Sequence, residues 1–210
     1  RDCPNVEVVH GDILKLDIRA LAKEKMEGLR PMVCANLPYN ITTPVITALL
    51  EAGCFEALTL MVQREVAERI CAAPGTGAYG AFSVFCQYHA RCEILFDVPP
   101  DCFLPAPKVT SAVIRMAPRP APAEVEDEAF FFKVVRASFA QRRKTLLNGL
   151  SAAFGGKREK EALRQVIADC GLSPDVRGET LDIPAFAALA ARLAGPQEKL
   201  VFEQKNDIIE

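Results

Sequence analysis

Met32-Val33-Cys34-Ala35, Asn36-Leu37-Pro38-Tyr39-Asn40, Ile41-Thr42-Thr43-Pro44: a short apolar run, a proline loop and a helix start come one after another without a break. Four apolar residues bounded by turn residues read as a buried strand. Pro38 fixes its own φ and biases Leu37 toward an extended shape, so the loop backbone is held rigidly. Thr42 and Thr43 can cap a helix with Pro44 at its first position, and Gly53 stops that helix after Ala52. Strand, loop, helix is the repeating unit of α/β layers, which meet their ligands at the carboxyl ends of strands.

The same alternation continues on both sides of this stretch. On the N-terminal side, residues 6–9 form a β-branched run that reads as a strand ending at His10-Gly11-Asp12, and residues 18–29 read as a helix closing at Gly28. On the other side, residues 57–62 read as a third strand, and 64–73 and 81–90 as helices, the first ended by Pro74-Gly75. This predicts a largely parallel sheet. Residues 92–98 and 111–116 are strand-like and flank a proline-rich link at 99–108; an antiparallel pair closing the sheet is expected. Beyond residue 128 the chain is helical by pattern, over 129–140, 143–154, 159–170 and 184–193. The expected division is a sheet domain at 1–117, a linker at 118–128, a small all-α domain at 129–195 and a polar tail at 196–210.

Half of the 210 residues are hydrophobic and a quarter are charged, which excludes disorder as the main state. No apolar run approaches the roughly 18 residues of a spanning helix, and no charged start leads into an apolar stretch, so neither a membrane span nor a secretion signal is expected. The formal net charge of −2 speaks, taken whole, against a nucleic-acid partner. Its distribution speaks otherwise. Residues 133–164 hold nine cations (Lys133, Arg136, Arg142, Arg143, Lys144, Lys157, Arg158, Lys160, Arg164) against Glu159 and Glu161, a local +7 in a chain whose remainder carries −9. A basic block in an acidic protein is an electrostatic footprint. Arg142-Arg143-Lys144 is expected at a helix start, where the macrodipole does not favour cations; either RNA phosphate favours them or they form a solvated face. Phe130-Phe131-Phe132 are expected to pack against the sheet domain and neighbouring helices rather than stack on bases.

The eight cysteines include no CxxC pair, and only two histidines are present, so no metal site is expected. Reduced thiols, mostly buried, in a cytoplasmic protein are the plain reading.

The Asn-Leu-Pro-Tyr loop can do specific chemistry. The Asn36 side chain offers a carbonyl acceptor, and the Leu37 backbone carbonyl is a second at a fixed angle. Two such acceptors can grip an exocyclic amine by its two N–H bonds, while Tyr39 supplies a flat face for a base. An aryl amine is a poor nucleophile because its lone pair is delocalised into the ring. Accepting both its protons favours a tetrahedral nitrogen and stabilises the positive charge that develops there, with no strong base needed. The competing reading is a proline turn between strand and helix.

In these motifs the chain resembles the ribosomal RNA adenine dimethylases, which transfer methyl groups from S-adenosylmethionine to adenine amines. The resemblance spans residues 6–193. It rests on Gly11-Asp12, Asn36 to Pro44, Gln63-Arg64-Glu65-Val66, Tyr79-Gly80, Phe103-Leu104-Pro105-Ala106-Pro107-Lys108-Val109 with Ser111-Ala112-Val113, and Phe139-Ala140-Gln141-Arg142-Arg143-Lys144-Thr145-Leu146, in family order. It implies a class I methyltransferase (Rossmann-like) sheet with a helical RNA-binding domain. It implies that Asn36, Leu37, Pro38, Tyr39 and Phe103 are catalytic, with the extruded base sandwiched between Tyr39 and Phe103. Asp12 and Ile13, with Asn36, would bind S-adenosylmethionine; Lys108, Arg142, Arg143 and Lys144 would bind RNA. The alternatives are a strand-end turn residue at Asp12, a core or lid aromatic at Phe103 and a solvated loop charge at Lys108. The implied partner is small-subunit ribosomal RNA in a pre-ribosomal particle, met by a full-length monomer in the cytoplasm. The rival readings are the large-subunit methylases of macrolide resistance and a non-catalytic RNA-binding assembly factor.

The resemblance leaves a gap. Family members carry a glycine-rich loop after their first strand and a carboxylate after the second, and this sequence shows neither; Gly75-Thr76-Gly77 follows a helix. The sheet domain is therefore expected to lack its N-terminal strands. The chain is expected to be an inactive fragment with negligible cofactor affinity, and residues 6–9 to be displaced or paired elsewhere.

Overall fold

β1 (Met32–Asn36) and β2 (Ala57–Gln63) pair in parallel, with Met32 opposite Ala57 and Asn36 opposite Met61. The computed structural model describes residues 3–141, 143–155 and 159–195. On the far side of β2 lies β4 (Ser111–Pro118), antiparallel to it, and β3 (Ala90–Val98) pairs antiparallel with β4 at the edge. The order is β1-β2-β4-β3. The expected closing pair is present. The expectation of a largely parallel sheet is corrected: among the described residues only β1–β2 is parallel, because β4 enters from the proline-rich link and runs back along β2.

α1 (Ile18–Lys25) is capped by Asp17, whose side chain accepts from the Ala20 N–H. α2 (Thr42–Ala52) ends as expected at Gly53, which adopts φ +60, a left-handed conformation that glycine takes without steric cost. Its start corrects the capping expectation. A one-turn 3₁₀ helix, Tyr39–Ile41, runs straight into α2, so no side chain caps it, and the Thr42 hydroxyl reaches back to the Pro38 carbonyl instead.

Residues 6–9 are not a strand. They have no regular secondary structure and no partner strand among the described residues, and Val6, Val8 and Val9 are 61, 86 and 45 % exposed. β-Branched residues fit a pleated, half-buried surface, but the ladder that would bury them is absent from the described residues.

Two compact units divide the described residues: those up to Ala67 with Ala90–Arg119, and Glu68–His89 with those from Pro120 on. The first holds the sheet, with Leu58, Leu60, Val62, Ile114 and Met116 in its core alongside Ile46 and Leu49 of α2. The second gathers the C-terminal half of α3 (Arg64–Cys71) with α4 (Ala81–His89), α5 (Glu128–Phe139), α6 (Leu146–Phe154), α7 (Lys160–Asp169) and α8 (Ile183–Leu193). Residues 68–89 thus group with the helices, not with the 1–117 span drawn from composition. The reason is in α4 itself: Val84 and Tyr88 enter one apolar cluster with Phe131, Leu146, Ile167 and Phe186.

The three consecutive phenylalanines all pack inside this second unit. Phe131 lies 5.1 Å from Tyr88, Phe132 5.3 Å from Phe85 and Phe130 5.7 Å from Phe154, ring centre to ring centre. None of the eight cysteines is in a disulfide, and only Cys86 is buried, while Cys3, Cys34 and Cys102 are exposed. That corrects the mostly buried reading. No cluster of metal-ligating side chains occurs among the described residues, nor any helix long and apolar enough to cross a membrane.

The end of α5 is gripped from two sides. A Cβ added at Gly149 on α6 would meet the Ala137 carbonyl oxygen at 2.6 Å, and one at Gly178 would meet the Ser138 carbonyl oxygen at 2.6 Å. Only glycine permits backbone so close. Gly149→Ala is expected to destabilise the fold by about 1–3 kcal/mol through forced overpacking. Gly80→Ala, with nothing within 4 Å of the new methyl, should change stability by about 0.5 kcal/mol or less. Denaturant midpoints compare the two, and equal effects would refute the grip.

Tyr79 is buried and donates its hydroxyl proton to the Leu181 carbonyl at 3.0 Å. Burial, helped by the nearby Asp182 charge, pushes its pKa up to about 12. An unfolded tyrosine ionises near 10, so between about pH 10 and 12 the unfolded chain releases a proton that the folded chain keeps. Stability is therefore expected to fall as pH rises through that window, in step with a late tyrosinate absorbance. An absorbance titration complete near pH 10 would contradict this.

Candidate functional site

The last ladder residue of β1 is Asn36, whose side chain is exposed at the strand's carboxyl end. The next residue is fastened down. The Leu37 N–H donates to the Met61 carbonyl at 3.1 Å, and the Leu37 side chain is buried. The backbone of Asn36 and Leu37 is thus held by β2 while the loop leaves the sheet. Pro38 sits at φ −57, ψ 130, and its carbonyl accepts from both the Ile41 N–H and the Thr42 hydroxyl, each at 3.1 Å. A restricted φ and two bonds on one carbonyl leave the loop little freedom.

Tyr39 is half-buried, and its hydroxyl lies 2.7 Å from the Ser111 Oγ at the start of β4. Ser111 is opposite Gln63 on β2 and opposite Val98 on β3. The proline-rich link descends into the same place. A short 3₁₀ turn at Pro100–Cys102 delivers Phe103, half-buried and extended, with its N–H bonded to the Pro100 carbonyl at 3.2 Å.

These pieces surround one open cavity of about 280 Å³, lined by Asn36, Leu37, Pro38, Tyr39, Phe103, Pro105 and Pro107. That is at the small end of ligand pockets, which start at roughly 300 Å³, and suits a single planar group. Every residue expected to be catalytic lines it, although Phe103 is far from the loop in sequence. Pro105 and Pro107 line it too. In the sequence these two prolines stand within a motif without a role of their own; their alternation across 103–107 is the available signal. A pocket with an aromatic wall on each of two segments, prolines beside them and an amide at its edge can accept a flat heterocycle and hydrogen-bond its polar rim. No histidine or carboxylate lines it.

Asp12 and Ile13 are elsewhere. They lie in an exposed turn where one Asp12 carboxylate oxygen accepts from the Leu14 N–H at 3.1 Å and the other pairs with Lys15 at 3.7 Å. Neither lines the cavity. Among the described residues no glycine-rich turn follows a strand.

Lys108 is exposed on the link before β4. Arg143 and Lys144 are exposed on the turn that leads to Thr145, the N-cap of α6. They precede the helix rather than start it, and they meet the unfavourable end of its dipole all the same. Arg142, Lys157 and Arg158 fall outside the described residues. Elsewhere in the basic block, Lys133 lies 5.4 Å from the Phe154 ring centre, Lys160 donates to Asn148 at 3.0 Å and Arg164 pairs with Glu161 at 3.6 Å.

A family model described as ribosomal RNA adenine dimethylase matches residues 2–188. The ribosomal RNA small subunit methyltransferase A of Streptococcus pneumoniae (strain P1031) is 49% identical over 199 residues, covering 93% of this chain and 69% of the relative. Its counterpart in Streptococcus gordonii is 49% identical over 197 residues, covering 92% of this chain and 68% of the relative. Two crystal structures share the fold at 22% identity. One is a dimethyladenosine transferase from Plasmodium falciparum, with a TM-score of 0.66 over 78% of this chain and 66% of that one. The other is the 23S rRNA methyltransferase ErmE, with a TM-score of 0.61 over 91% of this chain and 73% of that one.

Proposed function

The chain belongs to the ribosomal RNA adenine dimethylase family, and on that premise we propose that its cavity holds the target adenine for dimethylation of the 6-amino group in small-subunit ribosomal RNA. The observation that carries this reading is the convergence of Asn36, Leu37, Tyr39 and Phe103 on one small cavity. The Asn36 side-chain carbonyl and the Leu37 backbone carbonyl accept the two amine protons. Tyr39 and Phe103 bracket the ring, which must leave its stack to enter. Holding both N–H bonds draws the lone pair out of conjugation and aims it at an electrophile, and the two carbonyl dipoles stabilise the charge that forms on nitrogen. The cations of the helical unit, Arg143 and Lys144 among them, supply the phosphate contacts that bring the RNA to the pocket.

S-Adenosylmethionine is the methyl donor expected of the family. We propose that this chain by itself binds it negligibly, since Asp12 is engaged within its own turn and no glycine-rich turn follows a strand among the described residues. The enzyme reading then belongs to the family, acting as a cytoplasmic monomer on a pre-ribosomal particle, and this chain supplies the base-holding part.

Ultraviolet crosslinking of the chain to small-subunit particles, mapped by reverse transcription, is expected to place Tyr39 or Phe103 at unmethylated adenines, with dimethylated particles giving little signal. Crosslinks confined to large-subunit RNA would favour the macrolide-resistance reading, and crosslinks only at Arg143 and Lys144 would favour a non-catalytic binding factor. Isothermal titration of the chain with S-adenosylmethionine is expected to show no micromolar binding. Micromolar affinity would show that the residues present make a working cofactor site.

A further inference from the structure

We infer that Ser111 is a positioning residue of this pocket: its hydroxyl fixes the Tyr39 ring and ties that wall to the strand whose leader carries the facing wall, Phe103. The inference rests on the base-holding reading above and adds a residue to it.

The bond is 2.7 Å long and joins residues 72 positions apart. Ser111 is fully buried, does not line the cavity, and sits in the middle of the sheet with β2 on one side and β3 on the other. It is thus an immobile anchor. A buried hydroxyl needs a partner, and here the partner is the far end of a pocket aromatic. Stacking alone does not require that hydroxyl, because a phenylalanine ring offers the same flat face. The tyrosine oxygen is used for holding. With the backbone fixed through Pro38 and the ring tip fixed through Ser111, the direction of the ring's long axis is set before a base arrives.

The anchor also relates the two walls. Phe103 reaches the cavity on a segment stiffened by Pro105 and Pro107, and that segment runs directly into Ser111. One hydrogen bond therefore joins the loop after β1 to the strand that follows the Phe103 segment. A gap set in advance costs less ordering when the base enters, so the anchor is expected to show as affinity.

The test is a double-mutant cycle read by NMR. Adenosine is titrated into the chain and into Ser111→Ala, Tyr39→Phe and the double variant, following the Phe103 backbone amide. The methyl signals of Leu58 and Ile114, both buried in the first unit with Tyr39 and Ser111, report that each variant is folded. Adenosine is expected to shift Phe103 in the wild-type chain. Either single variant should bind about tenfold more weakly, the effect of losing one well-placed hydrogen bond, and the double variant no more weakly than the singles. Wild-type affinity in Ser111→Ala overturns the inference, and so does a double variant that loses the product of the two single losses. If adenosine shifts nothing in the wild-type chain, the base-holding reading itself fails and Ser111's role falls with it.

Discussion

One backbone hydrogen bond continues the β1–β2 ladder past its last paired residues: the Leu37 N–H to the Met61 carbonyl. The site depends on it. Because the bond uses the Leu37 amide, the chain is still registered against β2 at the point where it turns away, and the buried Leu37 side chain locks that register. The Asn36 side chain and the Leu37 carbonyl therefore leave the sheet edge with a defined relation to one another. Pro38 then has no N–H to offer and permits little rotation, and its carbonyl is consumed by Ile41 and Thr42. Tyr39, the next residue, is delivered within reach of Ser111. Firm placement in this pocket comes from exhausting the backbone's hydrogen-bonding options, with no strong charge involved.

That economy suits the chemistry. A grip made of neutral carbonyls works on an aryl amine because the need is orientation and dipole stabilisation rather than deprotonation. Charge is used elsewhere. The +7 of residues 133–164 is set on the helical part of the chain, while the cavity lining has no ionisable group apart from the Tyr39 phenol. On the proposed reading, affinity for a polyanion and handling of one base fall to different residues, and salt should weaken the former far more than the latter.

How much of this could be read in the sequence varied with the kind of signal. The Asn36–Tyr39 loop was legible because proline and asparagine constrain backbone and hydrogen bonding locally, and Phe103 because it stands in a proline-rich stretch with a specific pattern. Ser111 was not: a serine opening a strand carries no local mark, and its partner is 72 residues away. Residues 6–9 mislead for the converse reason. Their β-branched side chains carry strand propensity, but a strand needs a neighbour, and the described residues provide none. The placing of α4 with the sheet failed because an apolar helix face does not say whether sheet or helices will cover it. Gly149 looks like punctuation within a helix, and its role is a close approach to the Ala137 carbonyl that only packing reveals.

The central claim is that the cavity between Asn36–Tyr39 and Phe103 holds an adenine by its amine. A crystal structure of the chain with a short single-stranded RNA carrying one adenine tests it most directly. The account predicts the adenine ring between Tyr39 and Phe103, with its exocyclic nitrogen within about 3 Å of both the Asn36 side-chain carbonyl and the Leu37 carbonyl. RNA lying only along the basic turn at Arg143 and Lys144, with no base in the cavity, would contradict it.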